Sequence, residues 1–203
     1  MNFRPNKIIG IARNYRAHAA ELNNTVPEEE PLFFYKPTSS VIFSGGTVIL
    51  PPNVGRVDYE GELGVVISAT TKNIEEEKAN QVVKGLLPAF DITARALQKS
   101  KGHFSLAKGF DTFCPIGVLA ESSGDGSNVR LRTYLNDERV QDSSTSNMVH
   151  SIPRLISYLS SVITLEENDL ILTGTPAGVG PISSGDNLRL EIDGLSTLTC
   201  SVM

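Results

Sequence analysis

The sequence contains no tryptophan and only two cysteines among its 203 residues, and none of its apolar runs is long. Cys114 and Cys200 lie far apart and fit neither a zinc-site spacing nor a disulfide framework, which favours a reducing compartment. No segment approaches the roughly 20 apolar residues that a membrane-spanning helix needs, and the N-terminal apolar stretch is shorter than a signal-peptide core. We therefore expect a cytoplasmic protein with no membrane partner.

Basic charge is also scarce. The 18 Lys and Arg residues are scattered along the chain and are outnumbered by 23 Asp and Glu residues, which gives a net charge of −5. Because nucleic-acid binding normally requires a clustered basic face, we expect no nucleic-acid partner. The apolar content of 40% is ordinary for a globular protein, and the length suits one domain that covers residues 1–203.

Short strand-like segments bounded by Pro, Gly, Asn or Ser dominate the chain, so we expect an α+β, β-dominated fold. The predicted strands are residues 7–12, 32–35, 47–50, 60–68, 89–93, 129–135, 139–141, 170–173, 187–192 and 196–202. The predicted helices are residues 14–22, 74–86 and 151–160, and residues 95–101 are predicted to begin a short helical or irregular segment. Residues 23–31 contain two prolines and three glutamates and are predicted to form a mobile loop or lid.

Three carboxylates suggest a metal site. Glu60 and Glu62 are two residues apart in a predicted strand, so both side chains point to the same face. Asp91 lies in an otherwise apolar stretch, where an unpaired charge is costly to bury. Three carboxylates at buried strand ends suit an octahedral Mg²⁺ or Mn²⁺. The alternative for Glu60 and Glu62 is a solvated strand face without a ligand.

A second feature is the pair His18 and Glu21, which lie one helical turn apart. A neutral imidazole can take a proton from water, and a carboxylate on the same helix face can orient the ring. The pair therefore predicts a general base. Its alternative is a surface ion pair of little consequence.

Two further groups of polar residues could bind an anionic substrate. Thr175 lies in a segment with three glycines, residues 172–180, whose backbone amides can approach a carboxylate or an oxyanion. That segment lacks the lysine of a nucleotide-binding P-loop. Arg95, Gln98 and Lys108 form a cationic set, although each on its own is also typical of a solvated surface.

In order along the chain, these segments resemble the fumarylacetoacetate hydrolase family, and in particular its single-domain acylpyruvate hydrolase and hydroxyheptadienedioate isomerase branch. The matching segments cover nearly the whole chain: Asn14 and Tyr15 through His18 and Glu21, residues 34–37, 60–63 and 91–95, Gln98, residues 108–111, Gln141, and residues 145–148 and 173–180.

The resemblance implies a fold of layered, rolled, mixed β-sheets and a homodimer. It also implies that Glu60, Glu62 and Asp91 are metal ligands. The implied catalytic residues are His18, Glu21 and Lys108, and the implied substrate-binding residues are Arg95, Gln98 and Thr175. The implied cofactor is Mg²⁺ or Mn²⁺, with Ca²⁺ as a substitute in crystals.

The resemblance further implies a hydrolase that cleaves a carbon–carbon bond in an acylpyruvate or fumarylacetoacetate-type 2-oxo acid, with a pyruvate enolate whose charge the metal stabilises. The same residues also suit an isomerase or tautomerase of a 2-hydroxyhepta-2,4-diene-1,7-dioate-type substrate, or an oxaloacetate decarboxylase.

Two other functional classes remain open. A non-catalytic metal- or ligand-binding domain is one, because fold does not fix function. A metal-dependent nuclease is the other, although the acidic charge disfavours it.

Overall fold

The computed structural model describes residues 4–101, 103–121 and 125–203, and it confirms the α+β class with its many short strands. The strands in these ranges are β1 Ile8–Ala12, β2 Leu32–Lys36, β3 Val41–Phe43, β4 Thr47–Val48, β5 Val57–Tyr59, β6 Gly61–Ile67, β7 Val83–Phe90, β8 Thr93–Ala94, β9 Cys114–Ile116, β10 Arg130–Leu135, β11 Glu138–Ser144, β12 Leu170–Leu172, β13 Gly180–Pro181, β14 Asn187–Ile192 and β15 Leu198–Val202. The α-helices are α1 Arg16–Glu21, α2 Arg95–Lys101, α3 Phe104–Lys108 and α4 Ile152–Val162. Short 3₁₀ helices span Thr38–Ser40, Glu76–Val82 and Thr145–Asn147.

Within the described ranges the strands form a mixed sheet of seven strands, a second sheet of five and a small third sheet of three. The large sheet has the order β2-β1-β12-β6-β7-β9-β3. Strand β1 runs parallel to β12, whereas β6 is antiparallel to both β12 and β7. The five-stranded sheet has the order β11-β10-β14-β15-β4, and the small sheet has the order β13-β5-β8.

The hydrophobic core lies around the central strands of the large sheet. Every residue of β6 is buried, because both faces of that strand are covered. Helix α4 packs its apolar stripe into the same core, with Leu155, Ile156 and Leu159 fully buried. Ser151 caps this helix by accepting a hydrogen bond from the Arg154 amide at 3.2 Å. The predicted helix at residues 151–160 is therefore confirmed.

The predicted helix at residues 74–86 is wrong. A 3₁₀ helix occupies Glu76–Val82, and the chain then becomes strand β7 rather than continuing as a helix. Ala79, Val82, Val83 and Leu86 have helical spacing by coincidence, because apolar residues of a strand with two covered faces need not alternate. Pairing with β6 along its whole length fixes β7 as a central strand.

Residues 23–31 contain no helix or strand, as predicted, but they are held against α4. The Arg154 guanidinium donates to the carbonyl of Glu29 at 3.3 Å, and a ring nitrogen of His150 lies 2.6 Å from the carbonyl of Pro27. Movement of this segment as a lid stays a prediction. None of the helices in the described ranges has the length and apolar character that crossing a membrane requires.

Candidate active site

The three predicted metal ligands meet at the ends of paired strands. Glu60 connects β5 to β6, Glu62 is the second residue of β6, and Asp91 follows β7. Because Gly61 pairs with Phe90, the Asp91 amide donates to the Glu60 carbonyl at 2.9 Å. One oxygen of each carboxylate lies within 4.8 Å of the other two, and all three residues are buried. The alternative of a solvated strand face is therefore wrong.

Lys108, at the end of α3, lies among these carboxylates. Its ammonium group donates to Glu60 Oε2 at 2.8 Å, to Thr93 Oγ1 at 2.8 Å, and to Asp91 Oδ2. The side chain is only 4% exposed, so the alternative of a solvated surface lysine does not hold. Its buried amine also lies 5.0 Å from the centre of the Phe34 ring, a favourable cation–π contact.

Arg95 begins α2 and binds two carboxylates. Its guanidinium donates to Asp58 Oδ2 at 2.9 Å and to Glu60 Oε1, while a third donor reaches Gln98 Oε1 at 2.6 Å. Asp58 also accepts from Arg56 at 2.6 Å. Hydrogen bonds within the chain therefore fix the position of Arg95, and the bond from Arg95 holds the Gln98 side chain beside it.

Sequence reasoning missed two members of this network, Lys36 and Asp58. The Lys36 ammonium donates to Asp91 Oδ1 at 2.6 Å, and both side chains are at most 1% exposed. The alternation of β2 contained the signal, because buried Phe34 and Lys36 flank the exposed Tyr35. A lysine on the inward face of a strand requires an anionic partner.

Glu62 is the carboxylate in this group with the fewest positive neighbours. Its hydrogen bond comes from the amide of Gly174 at 2.7 Å. Burial, followed by repulsion from Asp91 and Glu60, raises the pKa of Glu62 well above its usual range. Burial also opposes ionisation of Glu60, but Lys108 and Arg95 outweigh it and lower the pKa of that carboxyl group.

The donor set fits a hard divalent cation. Mg²⁺ and Mn²⁺ prefer oxygen ligands, and three clustered carboxylates supply them. The site buries four carboxyl groups but only three cationic side chains. The carboxyl groups belong to Asp58, Glu60, Glu62 and Asp91, and the cations to Lys36, Arg95 and Lys108. Additional positive charge at Glu62 would relieve the repulsion that raises its pKa.

The predicted pair of His18 and Glu21 lies beside this group. His18 Nδ1 is 3.5 Å from Glu21 Oε2, and Glu21 Oε1 accepts the Gly178 amide hydrogen at 3.0 Å. The His18 side chain is only 7% exposed, so it is not part of a solvated surface pair. Burial lowers the pKa of His18, and attraction by Glu60 offsets this only in part. Burial therefore favours the neutral imidazole, which can accept a proton.

The glycine-rich segment closes the other side of the site. The Thr175 hydroxyl donates to the Gly61 carbonyl at 2.9 Å and accepts from Gln141 Nε2 at 2.8 Å. Its hydrogen is thus donated within the protein, and the substrate-binding role that the resemblance implies for Thr175 stays a prediction. Gly174 has a φ of +96°, a conformation that glycine adopts without strain and that aims its amide at Glu62.

These elements enclose a cavity of about 290 Å³. Seven of the nine predicted site residues line it: His18, Glu60, Glu62, Arg95, Gln98, Lys108 and Thr175. Ile11, Leu22 and Phe104 add apolar surface to the same wall. The volume suits a small organic acid, and acidic, basic and neutral proton-accepting groups all face it.

This chain is similar to several known proteins in sequence or in structure. The mitochondrial oxaloacetate tautomerase of Arabidopsis thaliana is 42% identical over 202 residues, which cover 97% of this chain and 90% of that protein. The structure of fumarylpyruvate hydrolase from Pseudomonas aeruginosa in complex with Mn²⁺ and pyruvate has a TM-score of 0.94 at 32% identity and covers 100% of this chain and 91% of that one. The 5-carboxymethyl-2-hydroxymuconate delta-isomerase of Mycobacterium smegmatis has a TM-score of 0.92 at 39% identity, over 99% and 80% of the two chains.

The names of these proteins cover a hydrolase, an isomerase and a tautomerase. Because the plant protein is mitochondrial, the expected cytoplasmic location of this chain stays a prediction. The sequence model of the fumarylacetoacetate hydrolase C-terminal family matches residues 7–203. With nearly the whole chain matched and the fold shared, this protein belongs to the fumarylacetoacetate hydrolase family.

Proposed function

We propose that this protein is a divalent-metal-dependent hydrolase of acylpyruvates, which are 2-oxo acids with a second carbonyl group at C4. The observation that carries the proposal is the buried triad of Glu60, Glu62 and Asp91 beside a cavity that His18 also lines. Three carboxylates and a neutral imidazole around a space of this size suit the activation of a small anionic substrate and a water molecule.

Glu60, Glu62 and Asp91 would hold the cation, which we propose to be Mg²⁺ or Mn²⁺. When bound, it would supply a Lewis acid that polarises the 2-oxo group and offsets the negative charge that develops there. The manganese in the structure of the fumarylpyruvate hydrolase supports this assignment.

His18 would act as the general base. Its Nδ1 atom faces Glu21, which leaves Nε2 as the atom that takes a proton from water. Glu21 would orient the ring and stabilise the imidazolium ion that forms. The Gly178 amide fixes Glu21 in turn, so the glycine-rich segment helps to position the base.

The cationic residues would bind and orient the substrate. Arg95 and Gln98, which are already joined by a hydrogen bond, would hold a substrate oxygen, and Lys108 would stabilise negative charge at the reacting carbonyl. Water oxygen then adds to C4 and the C3–C4 bond breaks. The bonding electrons pass to C3, which gains a proton, and the products are a carboxylic acid and pyruvate.

A second candidate is tautomerisation, isomerisation or decarboxylation of a related 2-oxo acid such as oxaloacetate. The 42% identity with the Arabidopsis oxaloacetate tautomerase favours it. This chemistry needs the same binding of the 2-oxo acid. Proton transfer by His18 would suffice for tautomerisation, without the addition of water. A non-catalytic binding domain and a nuclease are less well supported, because the cavity combines a base with substrate-sized space and the chain is acidic.

A substrate panel tests the proposal. Acetylpyruvate, fumarylpyruvate, oxaloacetate and a 2-hydroxyheptadienedioate are each incubated with the protein and Mg²⁺ or Mn²⁺, and products are identified by chromatography. Pyruvate release together with the matching carboxylic acid supports hydrolysis. Turnover of oxaloacetate or the dienedioate alone would replace hydrolysis by the second candidate, and no turnover of any compound would contradict both.

A further inference from the structure

Within the described ranges, one cationic side chain that lines the cavity has no carboxylate partner. Arg13, Arg95 and Lys108 are the lysine and arginine residues that line it. Arg95 and Lys108 each bind two buried carboxylates. Among the residues that the structure describes, no hydrogen bond or ion pair connects the Arg13 guanidinium to a carboxylate. Its charge is therefore available to a ligand.

The backbone of Arg13 is strained. Its φ of +58° lies in the left-handed region, and six of the eight non-glycine residues with positive φ in the described ranges are Asn or Asp, which tolerate it better than Arg. Asn14 locks this conformation: its amide donates to the carbonyls of His150 and Thr173, and its Oδ1 accepts from the His150 amide at 2.8 Å. Such strain is typical of residues that a binding site must hold in place.

Arg13 is more exposed than the other cationic residues that line the cavity. It is half-buried, as are Leu22 and Asn24, whereas Glu62 and Lys108 are almost inaccessible. A ligand that enters with its 2-oxo acid end toward the carboxylate triad would place its far end near Arg13. The planar guanidinium suits a carboxylate there, because it can donate two parallel hydrogen bonds.

From this arrangement we infer that Arg13 binds the distal carboxylate of the substrate and makes the protein selective for dicarboxylic 2-oxo acids. The inference rests on the proposed function, because it assumes that the 2-oxo acid end lies at the triad. It assigns the substrate class by charge, whichever reaction follows.

Binding of two unreactive probes tests this role. 2-Oxoglutarate and 2-oxopentanoate have the same length and the same 2-oxo acid end, and they differ only in a terminal carboxylate or methyl group. Calorimetry with the Mn²⁺-loaded protein is expected to give a Kd about tenfold or more lower for 2-oxoglutarate. In Arg13→Asn, which tolerates the left-handed backbone, the preference falls to about twofold or less while 2-oxopentanoate binds as before.

Several results would overturn the inference. They are an unchanged preference in Arg13→Asn, equal weakening of both probes, and a wild-type protein that binds the two alike or binds neither. Equal weakening would assign Arg13 to the 2-oxo acid end instead. Because binding is read without turnover, a protein that shows the expected preference but cleaves nothing in the substrate panel would refute the hydrolase proposal and leave Arg13 in its role.

Discussion

At the scale of single residues, the site is a balance of buried charges. Lys36, Lys108 and Arg95 each neutralise carboxylates that would otherwise be too costly to bury. Glu62 is the exception, because its hydrogen-bond donor is the backbone of Gly174. The unequal pairing leaves Glu62 as the carboxylate of the triad whose charge is least compensated by neighbouring side chains.

His18→Ala should separate chemistry from metal binding. Loss of a general base lowers kcat by about 10²-fold to 10⁴-fold. The carboxylate triad is untouched, so the Kd for Mn²⁺ measured by calorimetry is expected to stay within about threefold of the wild-type value. His103→Ala, which removes an exposed imidazole, is the control and should keep full activity. Unchanged hydrolysis by His18→Ala would remove the His18–Glu21 pair from the mechanism.

Glu62→Gln should weaken Mn²⁺ binding by about 100-fold or more, because it replaces a charged ligand with a neutral one of the same size. The metal-free variant is expected to melt at or above the wild-type temperature, since repulsion from Asp91 and Glu60 is removed. Glu77→Gln, at an exposed position, is the control. Wild-type Mn²⁺ affinity in Glu62→Gln would show that this carboxylate is not a ligand.

At the scale of elements, Gln141 connects the five-stranded sheet to the site. From β11 its Oε1 accepts the Gly61 amide hydrogen at 3.0 Å, and its Nε2 donates to Thr175 Oγ1 and to the Pro176 carbonyl at 2.9 Å. These bonds hold the start of β6 against the glycine-rich segment. They tie the segment that bears the proposed metal ligands Glu60 and Glu62 to the opposite wall of the cavity.

Gln141→Met keeps the size of the side chain but leaves those buried partners unsatisfied. Each lost partner costs about 1–3 kcal/mol, so we expect the free energy of unfolding to fall by about 3 kcal/mol in a denaturant titration. The exposed Gln81→Met is the matched control and should change it by less than about 0.5 kcal/mol. A loss below about 1 kcal/mol in Gln141→Met would contradict this bridging role.

The sequence predicted most elements because their boundaries are marked locally. Ser151 and Pro153 mark the start of α4, and the alternation of residues 129–135 matches β10. Strand β7 was missed, since only its pairing with β6 and β9 distinguishes it from a helix. The sequence also identified most residues of the candidate site. It did not predict the roles of Lys36 and Asp58, because these depend on contacts between distant segments.

At the scale of the whole molecule, packing of the hydrophobic core makes both cysteines almost inaccessible to solvent. Cys114 and Cys200 are both buried in it, and both are free thiols. Burial raises the pKa of each thiol to about 12.

The expected homodimer stays a prediction. Light scattering should give about twice the 21.9 kDa of one chain if a homodimer forms.

The buried thiols give a test of the fold. At pH 8 neither cysteine of the native protein should react with an aromatic disulfide reagent, whereas both should react in denaturant. Because the folded pKa is raised from 9.0, the thiols contribute stability below about pH 9 that is lost as the pH rises toward 12. Rapid labelling of one thiol per native chain would contradict the described packing.

The most direct test of the proposed metal-dependent mechanism is the rate of pyruvate release from an acylpyruvate before and after treatment with EDTA. Fumarylpyruvate and acetylpyruvate serve as substrates, and Mn²⁺ or Mg²⁺ is added back in excess over the chelator. The triad of Glu60, Glu62 and Asp91 predicts that EDTA abolishes the activity and that either cation restores it. Activity that survives complete removal of the metal would contradict the account.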